Sequence, residues 1–297
     1  MVNVVMNRYV LPPKTLPTLP LDDTPIEDVR FVVVDTETLG TRPMSRMVEV
    51  ATVEVKGGRI GAQYDQLVFP KCAIPPDATE VHGINDAMVR EQPTAERVLP
   101  DLFAKWENAV MVAHSAVYDE SILSTEAARS NMWIPPLPIL DTLQLSRQVL
   151  EPQHSNSLEA LCKILNIPQM RAHRALSDVL STAELFLLLV ERLRRAGTGR
   201  FGDLCRVSNL SRMGTSARPL QGLPPHLILL RPALLSHSDV EIHYRKDGRT
   251  SIFPGTLECG YRHGQHNYVE LRDHRQRGRI WSLRIDHIVA LRPLPVQ

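Results

Sequence analysis

The sequence is poor in the residues that mark secreted, zinc-stapled or membrane-spanning proteins. Its 297 residues include four cysteines, Cys72, Cys162, Cys205 and Cys259, which lie far apart and form no Cys-x-x-Cys pair. This spacing argues against a zinc knuckle or a disulfide framework and is typical of a reducing compartment. No apolar run approaches about 18 residues, the length that crosses a bilayer. We therefore expect a cytoplasmic protein that does not engage a membrane.

The chain also lacks a strong net charge, but its two parts differ. Residues 1–195 carry 19 Lys and Arg against 25 Asp and Glu, a net charge of −6. Residues 196–297 carry 15 against 8, a net charge of +7. An acidic part can hold metals, and a basic part can meet phosphates. The length suits two domains that each bury a core.

Composition and periodicity divide the chain into four segments. Residues 1–28 hold five prolines, which favour an extended arm. Residues 29–195 show strands first and then a strand and helices in alternation, which indicates a mixed α/β sheet flanked by helices. Residues 196–225 are rich in Gly, Ser, Arg and Pro and read as a linker. Residues 226–297 contain short strands at regular spacing, which predicts a small β-rich, barrel-like domain.

One acidic motif stands at the centre of the first domain. The buried strand that starts at Phe31 runs straight into Asp35, Thr36 and Glu37. Because side chains alternate along a strand, the two acids share a face and Thr36 points the other way. No Lys or Arg in the strand can neutralise them, so one interpretation is that the two acids bind a hard divalent cation, which prefers oxygen ligands. The other reading is a strand end that turns polar at the solvent.

Two further acids follow predicted buried segments. Asp119 lies just past the strand at 110–113, within the start of a predicted helix at 117–130. Asp178 lies five residues after His173, in the apolar early turns of a predicted helix at 175–195. An acid in such a stretch is costly unless it is paired or binds metal. Each could also be a first-turn acid that the helix dipole favours.

Taken together, these blocks resemble the DEDDh 3′–5′ exonucleases, the superfamily of the proofreading epsilon subunit of bacterial DNA polymerase III. The likeness covers residues 29–195 and includes the landmarks at 81–84, 140–143 and 156–161. The resemblance implies an RNase H-like fold with a mixed five-stranded sheet flanked by helices. It also implies hydrolysis of single-stranded DNA or RNA from the 3′ end with two Mg²⁺ or Mn²⁺ ions.

The resemblance implies a role for each residue of the motif. Asp35 bridges the two ions, Glu37 and Asp178 complete one site, and Asp119 serves the other. His173 is the general base, a task that suits imidazole because it exchanges protons near neutral pH. The expected substrate contacts are Thr36, Thr38, Leu39, His82, His114 and Ser115. Two positions depart from the family pattern, since Ser115 stands where Asn is common and Leu39 where a small polar residue is frequent.

The C-terminal domain resembles the β-rich part of WYL domains, regulatory modules of bacterial transcription factors. The likeness rests on the segments 242–248, 267–269 and 281–288. Interleaved arginines and aromatics there predict a surface for single-stranded nucleic acid. The candidate residues are Arg245, Arg272, Arg275, Arg277, Arg279, Tyr268 and Trp281. The alternative is a solvated basic face over an aromatic core, and a protein partner or a small ligand is also open.

Three functions therefore remain open at this point. The first is a 3′–5′ exonuclease that a C-terminal domain guides or regulates. The second is a polymerase-associated proofreading subunit. The third is a non-catalytic nucleic-acid-binding protein that a ligand of the C-terminal domain regulates. The intact set of four acids and a histidine favours the first.

Overall fold

A computed structural model describes residues 20–170, 172–208, 210–276 and 278–294. Most of the predicted N-terminal arm lies outside these residues. The described chain forms two sheets, each of six strands. No helix in the described ranges combines the length and the apolar composition that crossing a bilayer requires.

The first sheet is mixed, as expected, but it has six strands and not five. Strands β1 and β2 pair in antiparallel orientation, whereas β4 runs parallel to β1 and β5 runs parallel to β4. The extra strand, β6, pairs with Pro138 and Ile139 at the edge. In the order β3-β2-β1-β4-β5-β6, the strands are β1 (Phe31–Thr38), β2 (Met47–Lys56), β3 (Arg59–Leu67), β4 (Val110–Ala113), β5 (Pro138–Asp141) and β6 (Ser211–Arg212).

Helices cover both faces of this sheet because successive residues of β1 point to opposite cores. Phe31 and Val33 pack towards α7, where the Phe31 and Phe186 rings lie 4.9 Å apart. Val32 and Val34 pack towards α3 and α4. The helices of the described chain are α1 (Pro76–His82), α2 (Asp86–Val89), α3 (Ala95–Lys105), α4 (Ala116–Arg129), α5 (Thr142–Val149), α6 (Leu158–Leu165), α7 (Ala175–Arg195), α8 (Phe201–Ser208) and α9 (Leu230–Leu235), the last of which packs on the second sheet.

The second sheet is antiparallel and open, so the barrel-like prediction is wrong. Its order is β11-β10-β9-β8-β12, with β7 on β9, and β11 and β12 form opposite edges with no pairing between them in the described chain. Short strands at regular spacing fit an open sheet as well as a barrel. The strands are β7 (Ala217–Pro219), β8 (Asp239–Lys246), β9 (Arg249–His263), β10 (His266–Asp273), β11 (Ile280–Arg284) and β12 (Ile288–Pro293).

The segment predicted as a linker, 196–225, holds α8, β6 and β7. One of its strands joins each sheet, since β6 pairs with β5 and β7 pairs with β9. These strands are only two and three residues long. Strands of two or three residues are too short to show an alternating hydrophobic pattern, so the sequence shows no sign of them and its composition predicted a linker.

A buried ionic network joins the two sheets. Glu270 of β10 is 1% exposed in its side chain and pairs with Arg46 and, at 2.8 Å, with Arg129 of α4. Arg129 also contacts Glu126 at 2.8 Å. Although burial opposes it, the guanidinium groups of Arg129 and Arg46 lower the pKa of Glu270 to about 2. The second sheet therefore contributes a charge that the first domain needs.

We predict that Glu270→Gln lowers the free energy of unfolding by about 3–5 kcal/mol, because it leaves two buried guanidinium groups short of a carboxylate. The measurement is urea unfolding at neutral pH. The matched control is Asp286→Asn, which breaks the half-exposed pair with Arg284 and should cost less than about 1 kcal/mol. Equal stability of the Glu270→Gln variant and the wild type would contradict this role.

Candidate active site

Strand β1 carries two acids to the carboxyl end of the sheet. The four residues before them, Phe31 to Val34, are buried, and Asp35 and Glu37 follow on one face. The start of α7 brings Asp178 to the same place. One carboxylate oxygen from each of Asp35, Glu37 and Asp178 lies within 4.8 Å of the others. The structure thus gathers three of the four predicted metal ligands in one cluster.

The fourth acid, Asp119, reaches the cluster from the first turn of α4. It is 2% exposed, and its Oδ1 accepts a hydrogen bond from Thr36 Oγ1 at 2.8 Å. The charge of Asp119 acts directly on Asp35 and raises its pKa. Thr36, predicted as a substrate contact, therefore uses its hydroxyl to hold Asp119.

The crowded negative charge of these acids favours the binding of a cation. Burial and then mutual repulsion raise the pKa of Asp35 well above its ordinary range and that of Glu37 to about 8. Burial also raises the pKa of Asp119 to about 7 and that of Asp178 above its usual value. In the part of the chain that the structure describes, no Lys or Arg pairs with any of the four. Clustered hard oxygen ligands without a protein cation fit divalent ions such as Mg²⁺ or Mn²⁺.

The sequence reasoning missed an ion pair beside the cluster, which joins buried Glu49 to half-buried Arg174. Glu49 of β2 is fully buried and stands opposite Glu37 in the sheet register. It accepts hydrogen bonds from Arg174 Nε at 3.1 Å and from the N–H of Ala175 at 2.9 Å. These bonds anchor the start of α7, which carries Asp178. The signal was present, because an acid at an inward position of an apolar strand needs a buried partner.

His173 lies on a bend just before α7, at the edge of the cluster. Its side chain is exposed and its φ is 59°, a conformation uncommon outside glycine. Its backbone N–H donates to Asp178 Oδ2 at 2.9 Å, and Gln169 Nε2 donates to Oδ1 at 2.9 Å. These two bonds oppose the effect of burial on the pKa of Asp178. Gln169 is a second residue that the sequence reasoning missed.

Three predicted substrate contacts line the end of β1. The hydroxyl of Thr38 is engaged with the Gly40 carbonyl at 2.7 Å and with Tyr118 Oη at 2.7 Å. Leu39 packs on a small apolar cluster around Ile84. His82 is buried, which lowers its pKa, and its Nδ1 accepts the N–H of Ile84 at 3.0 Å. The neutral ring therefore carries its proton on Nε2.

The other two predicted contacts, His114 and Ser115, lie after β4 and form hydrogen bonds within the fold. His114 hydrogen-bonds through Nδ1 to Thr142 Oγ1 at 3.0 Å and through Nε2 to the Asn156 carbonyl at 2.9 Å. Both ring nitrogens are thereby used. Ser115 is exposed at φ 68°, and its N–H donates to Asp141 Oδ1 at 2.9 Å. Asn adopts this left-handed conformation more readily than most residues, which explains the Asn that the family pattern favours there.

The structure does not bring the predicted basic residues of the second sheet into the acid cluster. Arg272 pairs with Glu258 at 2.6 Å, and Arg275 lies 3.8 Å from Asp273. Arg245 is exposed, and Arg277 lies outside the described residues. Two of the five predicted arginines, Arg272 and Arg275, therefore have neighbouring acids that offset their charge.

The aromatic candidates of that surface are engaged as well. The guanidinium of Arg279 lies 3.6 Å from the centre of the Trp281 ring. Trp281 Nε1 donates to Asp273 Oδ2 at 2.8 Å. Tyr268 stacks on buried Tyr261 with ring centres 5.7 Å apart. Trp281 and Tyr268 therefore fit the prediction of an aromatic core better than the prediction of free aromatic faces on which bases stack.

The family can now be assigned. A family model described as Exonuclease (RNase_T) matches residues 32–186, which contain all four acids and His173. The chain belongs to this exonuclease family. Among its relatives, a DNA polymerase III subunit epsilon-like protein of Rhodobacter capsulatus is 38% identical over 61% of this chain and 27% of its own length. The 3′-5′ exonuclease DinG of Bacillus subtilis is 30% identical over 60% of this chain and 19% of its own length.

Solved structures show the same fold. Exonuclease I of Escherichia coli in complex with a dA16 oligonucleotide matches with a TM-score of 0.53 and 17% identity, over 83% of this chain and 55% of that chain. The curated relatives are longer proteins, since the chain spans 12–34% of the length of those it matches best.

We predict that the metal-free exonuclease loses stability as the pH rises. An acid whose folded pKa is raised stabilises the fold below its unfolded pKa and loses that contribution as the pH rises through the folded value. For Glu37 this window runs from 4.5 to about 8. The melting temperature in EDTA should fall across it, and Mg²⁺ or Mn²⁺ should remove most of the fall.

Differential scanning fluorimetry measures this effect, and Asp35→Asn should flatten the fall in EDTA because it removes one of the repelling charges. The matched control is Asp101→Asn, an exposed acid on α3, which should follow the wild type. A melting temperature in EDTA that rises across the same window would contradict the account.

Proposed function

We propose that the protein is a metal-dependent 3′–5′ exonuclease that hydrolyses phosphodiester bonds from the 3′ end of single-stranded DNA or RNA and releases nucleoside monophosphates. The observation that carries this proposal is the cluster of Asp35, Glu37, Asp119 and Asp178, which are buried or half-buried and have no protein cation among them. Acids that repel one another keep their charge at neutral pH when a cation offsets it.

Two ions would be held by this set. Asp35, Glu37 and Asp178, whose oxygens lie within 4.8 Å of one another, would hold one ion, and Asp35 with Asp119, whose charges interact, would hold the other. A pair of divalent ions, when bound, stabilises the attacking and leaving oxygens of an in-line displacement. The protein's own part is to hold the acids in place, through Thr36 on Asp119 and through Gln169 and the backbone of His173 on Asp178.

His173 supplies the proton acceptor in this proposal. Its backbone is tied to Asp178, so the imidazole lies beside the acids, while its exposure lets it pass the proton on to solvent. Arg174, which directly follows His173, is held by its ion pair with Glu49, and this limits the movement of His173.

The proposed 3′-to-5′ direction and the preference for single-stranded substrate rest on the family resemblance and on the names of relatives and solved structures. The Bacillus subtilis relative is named a 3′-5′ exonuclease, and the Escherichia coli structure holds an oligo-dA. The Rhodobacter capsulatus relative is named after the polymerase epsilon subunit, which keeps a proofreading role as the second candidate.

The test is degradation of matched DNA and RNA oligonucleotides, labelled at either the 5′ or the 3′ end, in Mg²⁺, Mn²⁺ or EDTA. We expect a 3′ label to be released first as a mononucleotide, and EDTA to stop the reaction. Asp178→Asn should lower the rate by at least about 10³, since a lost ligand removes several kcal/mol of transition-state stabilisation. Asp101→Asn is the control. First release of a 5′ label, or turnover in EDTA, would overturn the proposal.

The proton acceptor has its own test. His173→Ala should lower kcat by roughly 10²–10⁴ while KM stays nearly constant, because the ring acts on the reaction and not on binding. The matched control is His154→Ala, an exposed histidine between α5 and α6, which should keep the wild-type rate. A His173→Ala variant with wild-type kcat would exclude the role.

A further inference from the structure

A cavity of about 400 Å³ lies between the exonuclease domain and the C-terminal part. The exonuclease domain lines it with the start of β2, residues 68–71, the start of α3 and the end of α4. The C-terminal part lines it with residues 220, 222 and 223, with α9 and with residues 258–260 of β9. Sites for small molecules commonly have volumes of about 300–1,000 Å³ and often lie at domain interfaces. The size and place of this space, called here the interdomain cleft, therefore suit a small organic ligand.

Leucines around α9 give the interdomain cleft an apolar lining. Leu220 and Leu234 pack on β9 at Gly260, where an added Cβ would lie 2.9 Å from the Leu220 side chain and 3.1 Å from that of Leu234. The glycine thus allows both leucines to lie close to the strand. Leu235, the last residue of α9, also lines the cleft but is 54% exposed. A ligand with an apolar body would cover this side chain, and the removal of apolar surface from water favours binding.

Arg46 brings hydrogen-bond donors to the same cleft. Its side chain is 12% exposed, and its Nη2 pairs with Glu270. Its Nε and Nη1 make no hydrogen bond to the described residues, yet neither is among the polar atoms that the protein seals from solvent without a partner. Both nitrogens are therefore accessible. Hydrogen bonds from a guanidinium to a carboxylate are about twice as strong as those between neutral groups, so a ligand with an acidic group suits this residue.

The charge around the interdomain cleft also favours an anion. The residues that line it, together with their ion-pair partners, include five basic groups, namely Arg46, Lys71, Arg129, Arg231 and Arg272. The acidic groups of the same set are four, namely Glu96, Glu126, Glu258 and Glu270. A ligand with a single negative charge balances this set, whereas a cation would add to the positive excess.

We propose that the interdomain cleft binds a small amphipathic carboxylate. The apolar body of this ligand lies on Leu234 and Leu235, and its carboxylate accepts hydrogen bonds from Arg46. The C-terminal part thereby gains a binding site of its own, separate from the acid cluster and independent of the proposed exonuclease activity. Because both parts of the chain line the cleft, the ligand binds the folded protein and raises its melting temperature.

The test uses the full chain at neutral pH and the fluorescent dye anilinonaphthalene sulfonate, which is itself an amphipathic anion. Dye emission should rise on binding and saturate at one dye per chain. Octanoate should displace the dye at a concentration at least about tenfold lower than octanol or octylamine requires, because the three share an apolar chain and only the acid pairs with Arg46. Octanoate should also raise the melting temperature.

Two variants locate the site. Leu235→Glu should weaken the binding of dye and octanoate by at least about tenfold, because it removes apolar surface and places a like charge beside the anion. The matched control is Leu229→Glu, a leucine that is 56% exposed, directly precedes α9 and does not line the cleft. It should keep the wild-type affinity. Arg46→Gln should abolish the preference for octanoate over octanol.

Equal dye binding by Leu235→Glu and the wild type would overturn the site, and so would an equal loss in Leu229→Glu, which would indicate a general apolar surface. Displacement by octylamine as readily as by octanoate would overturn the anionic class of ligand, as would octanoate that neither displaces the dye nor raises the melting temperature. Arg46→Gln also removes a partner of buried Glu270, so thermal unfolding checks its fold. If it is unfolded, the Leu235→Glu variant and the competitor series decide.

Discussion

The architecture of the first domain depends on the repulsion among four carboxylates crowded at one edge of its sheet. Burial and mutual repulsion raise the pKa values of Asp35 and Glu37, and burial raises that of Asp119, so the acids oppose the fold that holds them. The surrounding contacts hold the carboxylates in place against this repulsion. Thr36 holds Asp119, Gln169 holds Asp178, and the Glu49–Arg174 pair anchors the helix that carries it.

Helix α4 links this constraint to the second sheet. One side of the helix presents Asp119 to the acids, and the other side is buried against residues of the C-terminal part. Glu120 accepts the N–H of Thr215 at 2.9 Å, Ser121 meets His263, and Arg129 pairs with Glu270. Such a row of buried polar residues is stable only with partners. Buried polar contacts therefore join the second sheet to helix α4 of the exonuclease domain.

The sequence predicted the mixed sheet, the four acids and His173 because each stands in an apolar segment of clear period or in a recognisable block. It missed Glu49, whose partner Arg174 lies 125 residues away and leaves no local signature, and Gln169, which reaches Asp178 nine residues later across an irregular stretch that shows no period. It misread 196–225 because β6 and β7 are too short to show a period. It counted Arg272 and Arg275 as free charge, since the acids that neutralise them are visible only in three dimensions.

The central claim is that these acids hold divalent cations, and Mn²⁺ binding followed by electron paramagnetic resonance tests it most directly. At a pH near 8 the wild type should bind two ions. Asp35→Asn should lower the affinity for both, because the proposed function assigns this carboxylate to both ions, whereas Asp101→Asn should bind as the wild type does. A wild type that binds no Mn²⁺, or an Asp35→Asn variant that binds it unchanged, would contradict the account.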